Sequence, residues 1–357
     1  MSITAGQDIV ASDFINKAEA NATPANDAGR VVKLESDGKL SNFYLNKSFG
    51  GTGADGALTV SSGVTNIDLG GLAIVVKNYT SISITGTGSV TFSNPHANGT
   101  VIILRSKGNV TLTSSAAPML DASGMGADGG TAVVVTTDTV TNGNNGVNGA
   151  VTFNFWTCGL GGGGTNSGTP ANAGAGLVST LAYKTVDTQY TTLYPFALVG
   201  AGGGSGAARK VAASSAGTAT SGVGGKGGGC LIIECAGAWN FTTANGISVA
   251  GKNGGNATCV TGNRLSASGG GAGAGGYFLA IYGTLTANSG TINVSGGTGG
   301  TGAHIQSGGA FQGVDGAGGG SSYTTGTSGA AGVSGGAGNG GNGGNGFSEV
   351  RQNLNFV

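Results

Sequence analysis

Glycine runs alternate with short apolar segments along most of this chain, and that alternation limits the folds open to it. Residues 269–276 read GGGAGAGG, and are followed by the β-prone run from Tyr277 to Tyr282 and by Ile292 to Val294. A second glycine run, around Gly296–Gly300, closes the unit. The same order occurs upstream, where GGKGGG at 224–229 precedes Cys230–Cys235, Ile247–Val249 and Gly254–Gly255. An earlier copy without leading glycines spans Val101–Leu104, Val110–Leu112 and Met119–Gly130, and a truncated one runs from Gly340 to Val357. With 78 Gly but only 5 Pro, and without Gly at every third position throughout, the chain is not collagen. Apolar runs interrupt the glycines too regularly for a flexible linker.

Between Gly50 and Gly130 the sequence predicts strands at Ala57–Val60, Asn66–Leu69, Ala73–Val76, Ser81–Thr85, Ser89–Phe92, Val101–Leu104, Asn109–Thr113 and Met119–Asp121. These superpose on themselves: Ala73 matches Val101 and Ser81 matches Asn109 at an offset of 28, and Val90 matches Met119 at 29. Three strands per repeat at a near-constant offset predict a right-handed parallel β-helix, or β-solenoid. A rung this small cannot bury its own apolar face, so rungs stack and share one core. Ile82 and Ile84 alternate with Ser81, Ser83 and Thr85, the pattern of a strand buried on one side.

The glycine runs predict a second kind of packing. Glycine can lie extended with threefold symmetry, like polyproline II, while keeping its N–H. Several such strands can then hydrogen-bond laterally in a polyglycine II-like bundle. The run GNGGNGGNG at 338–346 fits that period of three, with asparagine side chains on one face. The opposing expectation is a set of mobile glycine loops, since glycine loses most entropy on ordering.

Five regions follow. Residues 1–46 hold 6 of the 15 carboxylates and read as a short helix from Ser12 to Asn21 plus a hairpin turning at Asp37-Gly38. This is an attachment segment, too poor in apolar residues for its own core. Residues 47–130 are β-helix rungs, 131–223 a glycine-rich insertion with aromatic loops, 224–302 rungs with glycine runs, and 303–357 a glycine-rich loop and C-terminal strand. The window 153–196 holds Phe153, Phe155, Trp156, Tyr183, Tyr190, Tyr194 and Phe196. Aromatics on loops grip sugar faces and protein surfaces at low entropic cost. Tyr183, Tyr190, Tyr194 and Phe196, with Phe311 and Tyr323 of the later loop, are the candidate receptor-binding residues; packing within their own subdomain is the alternative.

Other chemistry is thin. Net charge is zero, and Arg209-Lys210 is the one adjacent basic pair, so phosphate binding has no footprint and no nucleic-acid partner is expected. No apolar run approaches the roughly 20 residues of a membrane span, and the N-terminus does not read as a secretory signal. Gly50 to Asp55 partly matches a calcium-binding nonapeptide and Gly124 to Asp128 does so more weakly, but such sites need tandem turns sharing an ion. Lys226 follows a glycine run without the Ser or Thr of a phosphate loop. Cys158, Cys230, Cys235 and Cys259 fit no zinc spacing; small core residues or one disulfide are the readings, and Cys230 and Cys235 should face opposite sides of a strand. Asp121 and Asp128 are the nearest acidic pair that could serve glycan hydrolysis, and His96 and His304 are isolated. No cofactor or metal is expected.

Two stretches carry a resemblance. Residues 3–7 (ITAGQ), with 27–34 (DAGRVVKL) and 37–40 (DGKL), resemble the start of many bacteriophage fibre and virion proteins. The glycine runs separated by variable loops resemble the adhesins that cap the tail fibres of T-even-like phages. The ladder at 57–121 departs from those adhesins and resembles glycine-rich β-helical surface and phage proteins. The resemblance implies a non-enzymatic virion or surface fibre protein outside the cell. It would be a homo-oligomer, either trimer or filament, joined to other virion proteins through residues 1–46. Its loops would touch a host-surface glycan or protein. The alternatives are a self-assembling subunit of an extracellular filament or surface layer, and a polysaccharide depolymerase spike.

Overall fold

The eight strands expected between Gly50 and Gly130 are all present, and each stacks on a later one. The computed structural model describes residues 49–146, 199–211, 216–262, 264–306, 314–320, 322–324, 326–332 and 336–353. The described residues are all-β, with no helix among them. The expected N-terminal helix and hairpin lie outside them. By contacts the chain divides into Met1–Phe49 with Asn355–Val357, and Gly50–Leu354; the second unit is described below.

Three parallel ladders carry its core. In the first, β3 (Ile74–Tyr79) pairs with β6 (Val101–Ser106), which pairs with the first half of β13 (Cys230–Phe241). That half continues to the first half of β17 (Tyr277–Asn288) and then to β20 (Phe347–Gln352). The second ladder runs from β1 (Ala57–Val60) through β4 (Ser81–Ile84) and β7 (Val110–Leu112) to the second halves of β13 and β17. The third joins β2 (Val64–Asp68), β5 (Ser89–Ser93), β8 (Leu120–Asp121), β14 (Ile247–Ser248) and β18 (Ile292–Asn293). Val101 stands opposite Cys230, so the ladder closes directly over everything inserted between them.

The register departs from the expected offsets by one residue in two ladders. Val110 pairs with Ile82, the expected 28. Val101 pairs with Ile74 rather than Ala73, and Val90 with Leu120 rather than Met119. Ile82-Ser-Ile84 and Val110-Thr-Leu112 alternate and so fix which face is buried. Residues 101–104 are apolar at four successive positions, and Met119 and Leu120 at two, leaving the pattern no phase.

One cluster joins the ladders: Ile102, Leu231 and Phe278 from the first, Ile84, Leu112 and Phe241 from the second, Val90, Leu120 and Ile247 from the third. Cys235 points into it, while Cys230 lies on the opposite face of the same strand, as the spacing of five required. At the edge of the first ladder β3 leaves Ile74 and Val76 exposed, while the ladder's inner strands β6, β13 and β17 are buried on their other face as well, at Val101, Ile103, Ile232 and Leu279. That is the ordinary state of a parallel sheet and explains its unbroken apolar runs. On this outer face Arg105 Nε stands 3.0 Å from a carboxylate oxygen of the buried Glu234, close enough for an ion pair although its N–H is not aligned for a hydrogen bond. Trp239 is fully buried and its indole N–H donates to Asn288 Oδ1 at 3.1 Å. Asp55 guards the edge of β3, its carboxylate accepting from Asn78 N at 2.6 Å.

Two antiparallel sheets were not expected. One orders β10 (Thr139–Thr141), β11 (Ala208–Lys210), β16 (Leu265–Ala267) and β19 (Ala303–Ile305); the other orders β9 (Val134–Val135), β12 (Thr218–Thr220) and β15 (Thr258–Val260). They enclose a small core of Val135, Ala208, Ala219, Ala257, Leu265 and Ala267. Strands of two or three residues are too short to show alternation in sequence. The insertion and the later rungs are therefore interleaved, because β11 and β12 of the former pair with β15 and β16 of the latter. The glycine segments connect the two strand regions: 222–229 leads from β12 to β13, 249–257 from β14 to β15, 268–276 from β16 to β17, and 294–302 from β18 to β19.

Candidate functional site

Residues 268–276 are hydrogen-bonded along their length, and their backbone hydrogen bonds repeat every third residue. Gly269, Ala272 and Gly275 donate to the carbonyls of Gly338, Gly341 and Gly344. Gly270, Gly273 and Gly276 donate to Gly255, Lys252 and Val249, a segment running the other way. Gly271 and Ala274 donate to Gly204 and Ala201. The carbonyls serve three further neighbours: Gly269 and Ala272 accept from Ala317 and Gly320, Gly270 and Gly273 from Gly300 and Gly297, and Gly271 and Ala274 from Gly225 and Gly228. The segment thus sits among six others, which its threefold repeat addresses in turn.

Close approach, and not backbone handedness, is what requires glycine there. A Cβ on Gly273 would press into the carbonyl of Lys226, and one on Gly276 into that of Gly229, closer than any real Cβ approaches. None of the glycines in 268–276 has a positive φ. Ala272 and Ala274 are fully buried in the same segment, so a methyl fits at some positions and not at others.

At the outer side of this packing, side chains replace missing neighbours. Segment 294–302 directs Gly297 and Gly300 N–H inward to Gly273 and Gly270. The N–H groups of Gly296, Gly299 and Gly302 go to the side-chain oxygens of Asn345, Asn342 and Asn339, at 3.2, 2.9 and 3.0 Å. Those of Thr298 and Thr301 go to Asn253 and Asn256 Oδ1, both at 2.9 Å. Next to them, Asn342 and Asn345 N–H donate to the hydroxyls of Thr327 and Thr324. In 338–346 the asparagines are exposed while Gly338, Gly341 and Gly344 are buried, the period of three read from the GNG steps. The sequence did not reveal which donors those amides would cap, nor that Asn253 and Asn256 belong to the same face. That pairing depends on how distant segments lie side by side.

The expected site residues fare unequally. Tyr183, Tyr190, Tyr194, Phe196 and Phe311 lie outside the described residues, as do Phe153, Phe155, Trp156 and Cys158. Tyr323 is half-buried, its ring 5.1 Å from Phe347, which stacks at 5.8 Å on Tyr277 of β17. Asp121 accepts from Ser123 N at 2.9 Å in a local turn, and Asp128 is 2.7 Å from Lys226 Nζ. That ion pair forms one wall of an open groove lined also by Thr131, Asn144 and Asn145. Asp55 is taken up by the β3 edge and by Lys77 at 3.8 Å. His96 Nδ1 accepts from Asn98 N at 3.1 Å, and His304 faces Ser266 across β19 and β16. Burial pushes the thiols of Cys235 and Cys259 up to about 11, and neither is in a disulfide. Among the described residues no three His, Cys, Asp or Glu gather as metal ligands, and no helix is long and apolar enough to cross a membrane. Compared with known protein families, curated proteins and solved structures, the chain matches none.

Proposed function

We propose that the three ladders close into a right-handed β-helix, that the glycine segments form a polyglycine II bundle mounted on it, and that the protein is a non-enzymatic structural fibre or adhesin of the phage virion type. The helix closure is supported by the order of the strands, which visit the three ladders in turn, and by the single core shared by all three. Parallel crossovers are almost always right-handed. The bundle is supported by the threefold hydrogen-bond repeat. Its purpose is rigidity: nearly every backbone group finds a partner, so glycine, ordinarily the most mobile residue, becomes a stiff support between two strand regions.

The capped outer face carries the functional reading. Asparagine side chains occupy the edge N–H groups that a further glycine strand would need, which favours a discrete particle over a growing filament. The particle is a homo-oligomer exposed outside the cell, attached to other virion proteins through residues 1–46. Loops within 153–196 and 303–330 meet the host surface, with Tyr183, Tyr190, Tyr194, Phe196, Phe311 and Tyr323 as contacts.

Sedimentation and electron microscopy of the full chain over a hundredfold range of concentration test this. A single species of uniform length is expected. Fibres that lengthen with concentration would overturn the discrete particle in favour of the filament subunit. Shortening of a polysaccharide, abolished by Asp121→Asn or Asp128→Asn, would instead make it a depolymerase.

A further inference from the structure

The capped face is also a regular array. Segments 253–256, 294–302 and 338–346 lie side by side there, each exposing every third residue, and Thr324 and Thr327 are exposed beside the last of them. Asn253 and Asn256 form one row, Ser295, Thr298 and Thr301 the next, Asn339, Asn342 and Asn345 the third, and Thr324 and Thr327 the fourth. Three extended residues at about 3.1 Å each set the repeat along a row at roughly 9 Å. Hydrogen bonds hold the rows in step: Thr327 N donates to Asn342 O, Asn342 Oδ1 accepts from Gly299 N, and Asn253 Oδ1 accepts from Thr298 N.

Each asparagine on the array is fixed at one end. Only the amide oxygen can accept from a backbone N–H, so it faces inward and the Nδ2 group, with its two protons, faces out. The array is therefore a set of preoriented donors among hydroxyls, at a constant repeat, with no carboxylate, ammonium or guanidinium in its rows. It has no charge with which to hold an anion or a nucleic acid, and no aromatic surface. Each N–H from Gly296 to Gly302 is already used, so a further glycine strand finds no backbone donor on that row.

We infer that this face binds an extended, uncharged polysaccharide, whose ring and hydroxyl oxygens accept from the asparagine Nδ2 groups. Each contact is weak, and affinity arises from a polymer engaging several rows at once. This goes beyond the loop contacts proposed above and is independent of them.

The test is co-sedimentation of the full-length protein with insoluble cellulose and chitin, with alginate beads as a charged comparison. The variant is Asn339→Asp/Asn342→Asp/Asn345→Asp. A carboxylate still accepts the inward N–H, so the bundle persists, but the outward donors become acceptors. Thr298→Val/Thr301→Val removes two hydroxyls at nearly constant shape and serves as a second variant. Binding to cellulose or chitin is expected, falling at least tenfold in the triple variant with an unchanged circular-dichroism spectrum. Retention of binding by both variants, preference for alginate, or binding to neither neutral polymer would overturn the inference. So would inhibition of ice growth by the protein in the absence of polysaccharide binding. None of these outcomes bears on the sedimentation test of the discrete particle.

Discussion

Replacing Gly273 by alanine decides whether the glycine runs are packed strands or mobile loops, because the two pictures predict opposite signs. In a loop, glycine to alanine restricts the unfolded chain and stabilises by about 0.4–1 kcal/mol. In the bundle, the new methyl would meet the carbonyl of Lys226 and the backbone N of Gly227. These atoms belong to main chain that is itself hydrogen-bonded and cannot swing away. Overpacking of this kind costs about 1–3 kcal/mol. Relief by moving the strands strains the bonds from Gly273 N to Lys252 O and from Gly297 N to Gly273 O, at about 1 kcal/mol each. After subtracting the unfolded-state gain, the net loss is about 2–4 kcal/mol. With an unfolding entropy of about 2.1 cal/mol/K per residue over roughly 300 residues, 1 kcal/mol shifts Tm by about 1.6 °C. Calorimetry should therefore show a fall of about 3–6 °C. Ala274→Gly in the same segment is the companion measurement: it removes a methyl that already fits, and should also destabilise, by about 1 kcal/mol. A rise in Tm for Gly273→Ala would refute the bundle.

Further expectations concern the edges and the core. Asn342→Ala should leave Gly299 N–H to water, lowering stability by about 0.5–1 kcal/mol and speeding amide exchange at Gly299 above that at Gly297. Leu112→Ala should cost about 2–5 kcal/mol in chemical denaturation, since the residue is fully buried among all three ladders. The thiols of Cys235 and Cys259 are held above the ordinary value of 9.0, so their contribution to stability is complete below pH 9 and declines as pH rises toward about 11. A denaturation series across that window should show the decline, and Cys235→Ala should reduce it. Asp68 behaves oppositely. The N–H of Gly70, and then the Asn94 amide, hold its carboxyl below 3.8, so its contribution is present above that pH and lost as pH falls through the lowered value. Asp68→Asn should flatten that acid limb.

What could be read from sequence depended on whether a segment carried its own phase. Ile82, Ile84, Val110 and Leu112 alternate with polar residues, and their pairing followed directly from the pattern. Val101 to Leu104 carry no alternation because both faces of that strand are buried, and the register slipped by one there. Period three in GNGGNGGNG marked an exposed asparagine face, since every third residue of an extended threefold strand returns to the same side. The partners of that face were illegible: nothing local joins Asn339 to Gly302 or Asn256 to Thr301. The antiparallel sheets were missed for a related reason. Val134 and Val135, or Thr218 to Thr220, are strands only because their neighbours are brought together by long glycine segments.

Glycine packing of this kind raises its own difficulty, and the asparagines answer it. A threefold strand presents donors and acceptors on every side, so a bundle has no natural boundary and any exposed segment invites another to add. An ordinary β-sheet has this liability along two edges; a bundle has it around its whole perimeter. Segment 294–302 meets it with side chains from two neighbours, Asn253 and Asn256 on one flank and Asn339, Asn342 and Asn345 on the other, so each N–H from Gly296 to Gly302 is used. Asparagine suits this role because its carboxamide oxygen reproduces a backbone carbonyl while its bulk keeps a further backbone from approaching. In the proposed bundle the geometry that ends it also turns the amide donors outward, so its boundary and the polar array on its surface have one cause. Replacing Asn339, Asn342 and Asn345 by glycine should then separate from replacing them by aspartate. The glycine variant reopens the edge and should associate with concentration, while the aspartate variant stays discrete. Light scattering of the two at matched concentration measures the difference, and equal behaviour would show that the boundary is set elsewhere.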